Sequence, residues 1–451
     1  MFFKKKDKGG SDGPEDNAPK AKAPEPPPRA AQAAPPPAPP APPVQARQPA
    51  PAPAPAAAPP TRPAAAPPSG GQGGAVNAAL SAWRSGRSVP SSIESLRAQA
   101  AAADRLATGD DTDRAAAALI AGGQVEQGLD MLGAAAEAAG VAGAQRWRTL
   151  GQLAFNVEGG RARVAYEKLF SLHPRQFWDS LFLARLRGLA GLLGEAREAA
   201  ENALAAATQD ADRGIAHAEL ALIAAAARDP RTALIQAEQA IAFARSAGVG
   251  AGDPDRELAG RLVLAGDAAL ALGDVAKARA VFAEGLALAR KMGAAAPTDP
   301  LRARGVCELL EKVATAAVAA KDFDAARNAA EEALGICRKL SAAMPAPDGQ
   351  RLLSKALNVR GEVAAASGDA AGEKAAFAES LTIMRQVGAA NPNDAVAQRE
   401  LWTVMWRLAQ VAGAGIPWSE VARTMETIHS AGVLDPEGAR FLEEARRRAA
   451  A

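Results

Sequence analysis

A short turn that recurs along most of the chain constrains the fold more than any other feature of the sequence. The turns begin at Gly123, Gly160, Gly194, Arg228, Gly273, Lys321 and Gly368. Successive turns lie 37, 34, 34, 45, 48 and 47 residues apart. Small residues follow nearly every turn at spacings of four and three, which places them on one stripe of a helix. Repetition at this period predicts stacked helix pairs, in which each unit buries its apolar face against the next.

From residue 76 onward the sequence favours helices and has no alternating runs of β-branched residues. Asp-Pro pairs at 253–254, 299–300 and 435–436 combine a good N-cap with a proline at the first helical position. Prolines also recur 48 and 47 residues apart, which are the intervals between the last three turns, at Pro297, Pro345 and Pro392. The predicted fold class is therefore all-α.

One unit carries a more specific pattern. Residues 147–154 place Trp, Leu, Gly and Ala at the spacing Trp-x-x-Leu-Gly-x-x-Ala, and the next helix carries Ala165 and ends at Pro174. This pattern resembles the tetratricopeptide repeat (TPR), and the later units resemble its long-period bacterial variety. Ala154 stands where the family often has tyrosine. The resemblance implies a TPR-like α-solenoid, a right-handed superhelix of antiparallel helix pairs, that binds protein partners.

Composition sets the expected domain boundaries. Of the 33 prolines, 22 fall in residues 1–75, where Val44 is the only aliphatic side chain larger than alanine after Phe3. Such a segment buries too little apolar surface to offset its conformational entropy, so we expect it to be disordered. The predicted organisation is a basic, aromatic segment at 1–10, a disordered Pro/Ala-rich linker at 11–75, N-terminal helices at 76–114, TPR-like repeats at 115–425 and a C-terminal capping helix at 426–451.

The N-terminal segment is a candidate membrane hook. It combines two aromatic residues with four lysines, namely Phe2, Phe3, Lys4, Lys5, Lys6 and Lys8. This composition suits weak contact with an anionic membrane surface, and an ordinary solvated basic segment is the alternative. The sequence has neither a secretory signal nor an apolar run long enough to span a bilayer. We therefore expect a cytoplasmic protein, with a peripheral position at the inner face of the membrane if the hook binds.

Catalytic and metal-binding patterns are absent from the sequence. The three histidines, His173, His217 and His429, are not in a metal-ligand spacing, and the two cysteines, Cys307 and Cys337, form no Cys-x-x-Cys motif. Two independently packed thiols are favoured over a pair in contact. Residues 76–451 carry a net charge of about −2, which gives no basic surplus for nucleic acid. We therefore expect no catalytic residue, metal, cofactor, small-molecule substrate or nucleic-acid partner.

The expected binding surface is the inner wall of the solenoid, which the first helix of each pair forms. The repeat register places the following side chains on that wall: Arg148, Gln152, Phe155, Leu181, Ile215, Leu222, Val263, Asp267, Leu270, Glu308, Glu311, Lys355, Asn358, Glu362, Trp402 and Met405. Its middle is apolar and its later part acidic. The preferred ligand would accordingly have apolar anchors followed by Lys or Arg.

Two functions fit this sequence. The first is a scaffold or adaptor that binds a segment of a partner protein in the groove. The second is an obligate structural or assembly subunit of a larger cell-envelope or enzyme complex. Purification of the chain with its partners from native cells distinguishes a reversible receptor from a fixed subunit.

Overall fold

A computed structural model of the chain describes residues 72–84, 93–172, 176–246, 253–344, 347–413, 416–434 and 436–450. Within these ranges the chain forms nineteen α-helices, one 3-10 turn at Gly140–Gly143 and no strand. None of these helices has both the length and the apolar character needed to cross a membrane. The candidate membrane hook, most of the predicted linker and His173 lie outside the described residues.

The helices follow one another with short connections. They are α1 (Gln72–Arg84), α2 (Ile93–Thr108), α3 (Asp111–Ala121), α4 (Val125–Ala138), α5 (Ala144–Ala154), α6 (Gly159–Leu172), α7 (Phe177–Leu189), α8 (Leu193–Ala206), α9 (Asp210–Ala226), α10 (Pro230–Ser246), α11 (Pro254–Leu272), α12 (Val275–Ala295), α13 (Pro300–Ala319), α14 (Phe323–Ala343), α15 (Asp348–Ser367), α16 (Ala370–Ala390), α17 (Ala395–Gln410), α18 (Trp418–Ser430) and α19 (Pro436–Ala450). The predicted boundary at residue 76 falls inside α1, where Val76 is buried.

Consecutive helices form the predicted pairs. From α3 to α16, each odd-numbered helix packs against the even-numbered helix that follows it. We call them the first and second helix of a pair. Successive first helices also contact each other, as α7 contacts α9 and α13 contacts α15, whereas successive second helices make at most sparse contacts. The first helices therefore line the inner side of the array, and the α-solenoid prediction is confirmed.

Left-handed residues close most of the first helices. Positive φ angles occur at the ends of α3, α7, α9, α11, α13 and α15, at Gly123, Gly191, Arg228, Gly273, Lys321 and Gly368. The turns predicted at Gly160 and Gly194 are wrong, because these glycines lie inside α6 and α8. The turn after α7 is instead at Gly191, three residues earlier. Arg228 and Lys321 occupy a conformation that costs a non-glycine residue about 1–2 kcal/mol.

In two of the helix pairs, a glycine on the first helix faces a phenylalanine on the second. An alanine Cβ at Gly266 would lie 2.2 Å from Cε1 of Phe282, and one at Gly361 would lie 2.6 Å from Cε1 of Phe377. Each glycine stands seven residues before the left-handed residue that closes its helix, and each phenylalanine stands nine residues after it. Three other pairs hold alanines at the same two positions, namely Ala184 and Ala200, Ala221 and Ala237, and Ala314 and Ala330, and the pair closed at Gly123 holds Ala116 and Leu132. The glycine at each of these two crossings makes room for the phenylalanine ring of the second helix.

The C-terminal helix covers the last unit. The ring of Phe441 on α19 lies 5.2 Å from that of Trp402 and 4.8 Å from that of Trp406. Arg448 lies over the ring of Trp418 at 4.6 Å, and neighbouring arginines pair with glutamates of α18 and α19. α19 therefore buries an aromatic surface and presents charges outward, as a terminal cap of a solenoid requires.

Candidate partner-binding surface

Ion pairs join neighbouring first helices along the inner wall. The donor and acceptor atoms lie 2.6–2.9 Å apart in each of them. In chain order, they connect α5 to α7, α7 to α9, α11 to α13, α13 to α15 and α15 to α17, through Arg148–Asp179, Arg185–Glu219, Asp267–Lys312, Glu311–Lys355 and Glu362–Arg407. Side chains that pair across units in this way satisfy each other and leave little for a ligand to bind.

This series is interrupted between α9 and α11, where no ion pair of the described residues joins the two helices. Leu222 stands there, six residues before the left-handed Arg228. The same position holds the charged residues Arg185, Asp267 and Glu362 in other units. Leu222 is 48% exposed, so this position of the wall presents an accessible apolar side chain.

A cleft lies between α9 and α11, where the series of ion pairs is interrupted. Its volume is about 390 Å³, and it opens among α9, the start of α10 and α11. The lining is mostly apolar and consists of Ala221, Leu222, Ala225, Arg228, Pro230, Ala233, Leu264, Asp267, Ala268 and Ala271. We call this the α9–α11 cleft. An apolar recess of this size in a charged wall has the character of a recognition site.

The predicted wall residues divide into two groups. Arg148, Gln152, Ile215, Leu222, Val263, Asp267, Leu270, Glu308, Lys355, Asn358 and Glu362 keep part of their surface accessible. The others are buried and cannot contact a partner in the folded chain, which corrects the prediction for Phe155, Leu181, Glu311, Trp402 and Met405. Leu181 is 0% exposed because residues of α8 and α9, such as Ala203 and Ala216, pack with it in one core cluster. Trp402 lies beneath the α19 cap.

The later part of the wall is not a free acidic surface, which corrects the prediction of a basic ligand. Asp267 and Glu362 each pair with a cation of the next first helix, and Glu308 pairs with Arg304 on its own helix. Burial raises the pKa of Glu311, and its neighbour Lys355 opposes that shift. A ligand that used Lys or Arg here would have to displace an existing cation, with little net gain.

The histidine and cysteine side chains, which could in principle act in catalysis or metal binding, are held by packing and hydrogen bonds. His217 stacks on Phe243 at 5.4 Å and its Nδ1 lies 2.7 Å from Gln236 Oε1, so packing and a hydrogen bond account for this side chain. The two cysteines are buried and in contact, contrary to prediction, because α13 and α14 place both in one core cluster. A hydrogen bond with Cys337, reinforced by burial, raises the pKa of the Cys307 thiol. Over the described ranges, His, Cys, Asp and Glu form no cluster that could hold a metal.

One ion pair of the wall predicts a pH-dependent stability. Burial raises the pKa of Glu219, while Arg185, whose Nε donates to its Oε2 at 2.9 Å, opposes the shift. Arg185→Met should lower the free energy of unfolding by about 3–5 kcal/mol near neutral pH, because it leaves a buried carboxylate without its partner. A buried acid with a raised pKa binds more protons folded than unfolded, so the variant should regain stability as the pH falls.

Urea unfolding followed by circular dichroism at pH values of about 7 and about 4.5 measures this recovery. The matched control is Glu219→Gln, which removes the charge and keeps the shape, and should cost under about 1 kcal/mol at either pH. A loss in Arg185→Met that is equal at both pH values would contradict the assignment.

Comparisons with known proteins find similarity in structure. No family model and no curated protein matches the sequence. BtubC (BKLC) from P. vanneervenii is 17% identical, with 58% of this chain and 92% of that chain covered and a TM-score of 0.41. A tetratricopeptide repeat protein from Parabacteroides merdae is 12% identical, with 65% and 98% covered and a TM-score of 0.44. A Rap protein crystallised with Competence and Sporulation Factor is 12% identical, with 83% and 92% covered and a TM-score of 0.45.

The chain's own helix pairs, their stacked first helices and their left-handed closing residues give it the fold of a TPR-like α-solenoid.

Proposed function

We propose that the chain is a scaffold or adaptor that binds a segment of a partner protein on the wall formed by its first helices. The observation that carries this proposal is the α9–α11 cleft, an accessible apolar recess in a wall otherwise joined by ion pairs. Exposed apolar surface in a recess is costly to leave in water, and burial by a partner returns about 25 cal/mol per Å².

The alanine-rich lining favours a protein segment as the occupant. Five alanines and two leucines give the cleft smooth apolar walls, and Arg228 and Asp267 are its charged lining residues. Such a surface can accept side chains, and the carboxylate of Asp267 already accepts hydrogen bonds from Lys312. The proposal therefore assigns recognition to this site and no catalysis.

Leu222→Glu tests the proposal. The substituted side chain is already 48% exposed, so the change should alter the free energy of unfolding by less than about 0.5 kcal/mol. It places a charge in the cleft, so the amount of partner recovered with the chain from native cells should fall at least about tenfold. The measurement is quantitative mass spectrometry of proteins that copurify with each variant, with circular dichroism to verify the fold.

Ile235→Glu is the matched control. Ile235 is an equally large aliphatic residue, is 57% exposed and lies on the second helix α10, away from the inner wall. The control should retain every partner. Equal recovery with both variants would exclude the cleft as the binding site, and loss with both would indicate a general effect of the added charge.

A further inference from the structure

The two charged residues that line the α9–α11 cleft, Arg228 and Asp267, differ in their ion pairing. Asp267 accepts from Lys312 Nζ with both carboxylate oxygens at 2.7 Å, so its charge is already neutralised. Arg228 is exposed, and its guanidinium makes no ion pair within the described ranges. An unpaired guanidinium beside a neutralised carboxylate favours an acidic group on the occupant.

The backbone at Arg228 adds to this assignment. Its φ angle is 60°, whereas glycine takes the same turn position after α7, α11 and α15. A left-handed arginine is strained, and strain of this kind concentrates at functional sites. Lys321, which follows α13, has the same left-handed conformation with a φ of 59°. It does not line the cleft. The turn alone thus does not define the site, and Lys321 supplies a natural control.

The shape of the cleft indicates the form of the occupant. Its volume of about 390 Å³ exceeds that of a single leucine or phenylalanine side chain. Its walls are two helix faces, with Leu222 and Ala225 on α9 opposite Leu264, Ala268 and Ala271 on α11. Two apolar side chains one turn apart on a helix fit such a recess, which is how amphipathic helices bind in grooves.

We propose that the α9–α11 cleft binds an amphipathic helix of a partner protein through two large apolar residues four positions apart, with an adjacent Asp or Glu that pairs with Arg228. The inference rests on the proposed function and adds the chemistry of the partner. The chain's own N-terminal segment has the opposite charge pattern, because Phe2 and Phe3 are followed by lysines. Arg228 therefore selects against that segment.

A displayed library of helical peptides, randomised on one face and selected on the full-length chain, tests the inference. Enriched peptides should share an apolar pair at i and i+4 and an acidic neighbour. Their affinity, measured by fluorescence anisotropy, should fall at least about tenfold with Leu222→Glu and about three- to tenfold with Arg228→Glu. Lys321→Glu and Ile235→Glu should leave it unchanged. Replacing the peptide's acidic residue by Lys should restore binding to Arg228→Glu.

The alternative outcomes separate the inference from the proposed function. Thr315 stands at the position of α13 that corresponds to Leu222. Peptides whose affinity is unchanged by Leu222→Glu but reduced by Thr315→Arg would overturn the inference, while the proposal that the wall binds a partner would stand. Enrichment of Lys or Arg beside the apolar pair would also overturn it. Failure to select any peptide that needs the wall would count against both. If the chain is a dimer that Leu222→Glu converts to a monomer, a second copy occupies the cleft. If removal of residues 1–71 tightens peptide binding, the N-terminal segment occupies it. Either result overturns the inference.

Discussion

Gly266→Ala should lower the free energy of unfolding by about 1–3 kcal/mol, although alanine is the better helix former. Its Cβ would lie 2.2 Å from Cε1 and 2.5 Å from Cζ of Phe282, whose side chain is fully buried. Overpacking of this kind costs about 1–3 kcal/mol and outweighs the gain of about 1 kcal/mol in helix propensity if the ring cannot move away. Urea unfolding followed by circular dichroism measures the difference.

The same substitution should have the opposite sign once the ring is removed. In a Phe282→Ala chain, Gly266→Ala should raise the free energy of unfolding by about 1 kcal/mol, because propensity remains and the clash does not. The double variant recreates the alanine pair found at Ala221 and Ala237 in the preceding unit. A Gly266→Ala effect of the same sign and size in both backgrounds would contradict the close approach of α11 and α12.

The sequence predicts the helix pairs because the residue spacing within each helix and the packing between the two helices depend on the same residues. Spacings of three and four residues identify the packed stripe, and the glycine seven residues before a turn marks a close crossing at Gly266 and Gly361. The sequence places the turn after α7 at the wrong glycine, because either Gly191 or Gly194 could end a helix. Only the backbone conformation distinguishes the two. A glycine near a helix end can close that helix or lie within the next one.

The site was only partly predictable, because accessibility on the wall depends on the neighbouring unit. Leu181 and Val263 both lie ten residues before a left-handed residue, yet Leu181 is buried and Val263 partly exposed. Ion pairing between units is equally hidden, since Asp267 and Lys312 are 45 residues apart and meet only when α11 and α13 stack. What the sequence does indicate is the large apolar residue at Leu222, where three other units have the charged residues Arg185, Asp267 and Glu362.

Site-specific photocrosslinking in native cells tests most directly the central claim, that a partner protein binds at the α9–α11 cleft. Leu222→p-benzoylphenylalanine places a photoreactive group in the cleft, and Ile235→p-benzoylphenylalanine places the same group on α10 with similar exposure. We expect irradiation to attach a discrete partner protein to the first variant and not to the second, with mass spectrometry locating the attached residue in an amphipathic helix. A discrete partner attached at position 235 while position 222 stays unmodified would contradict the account.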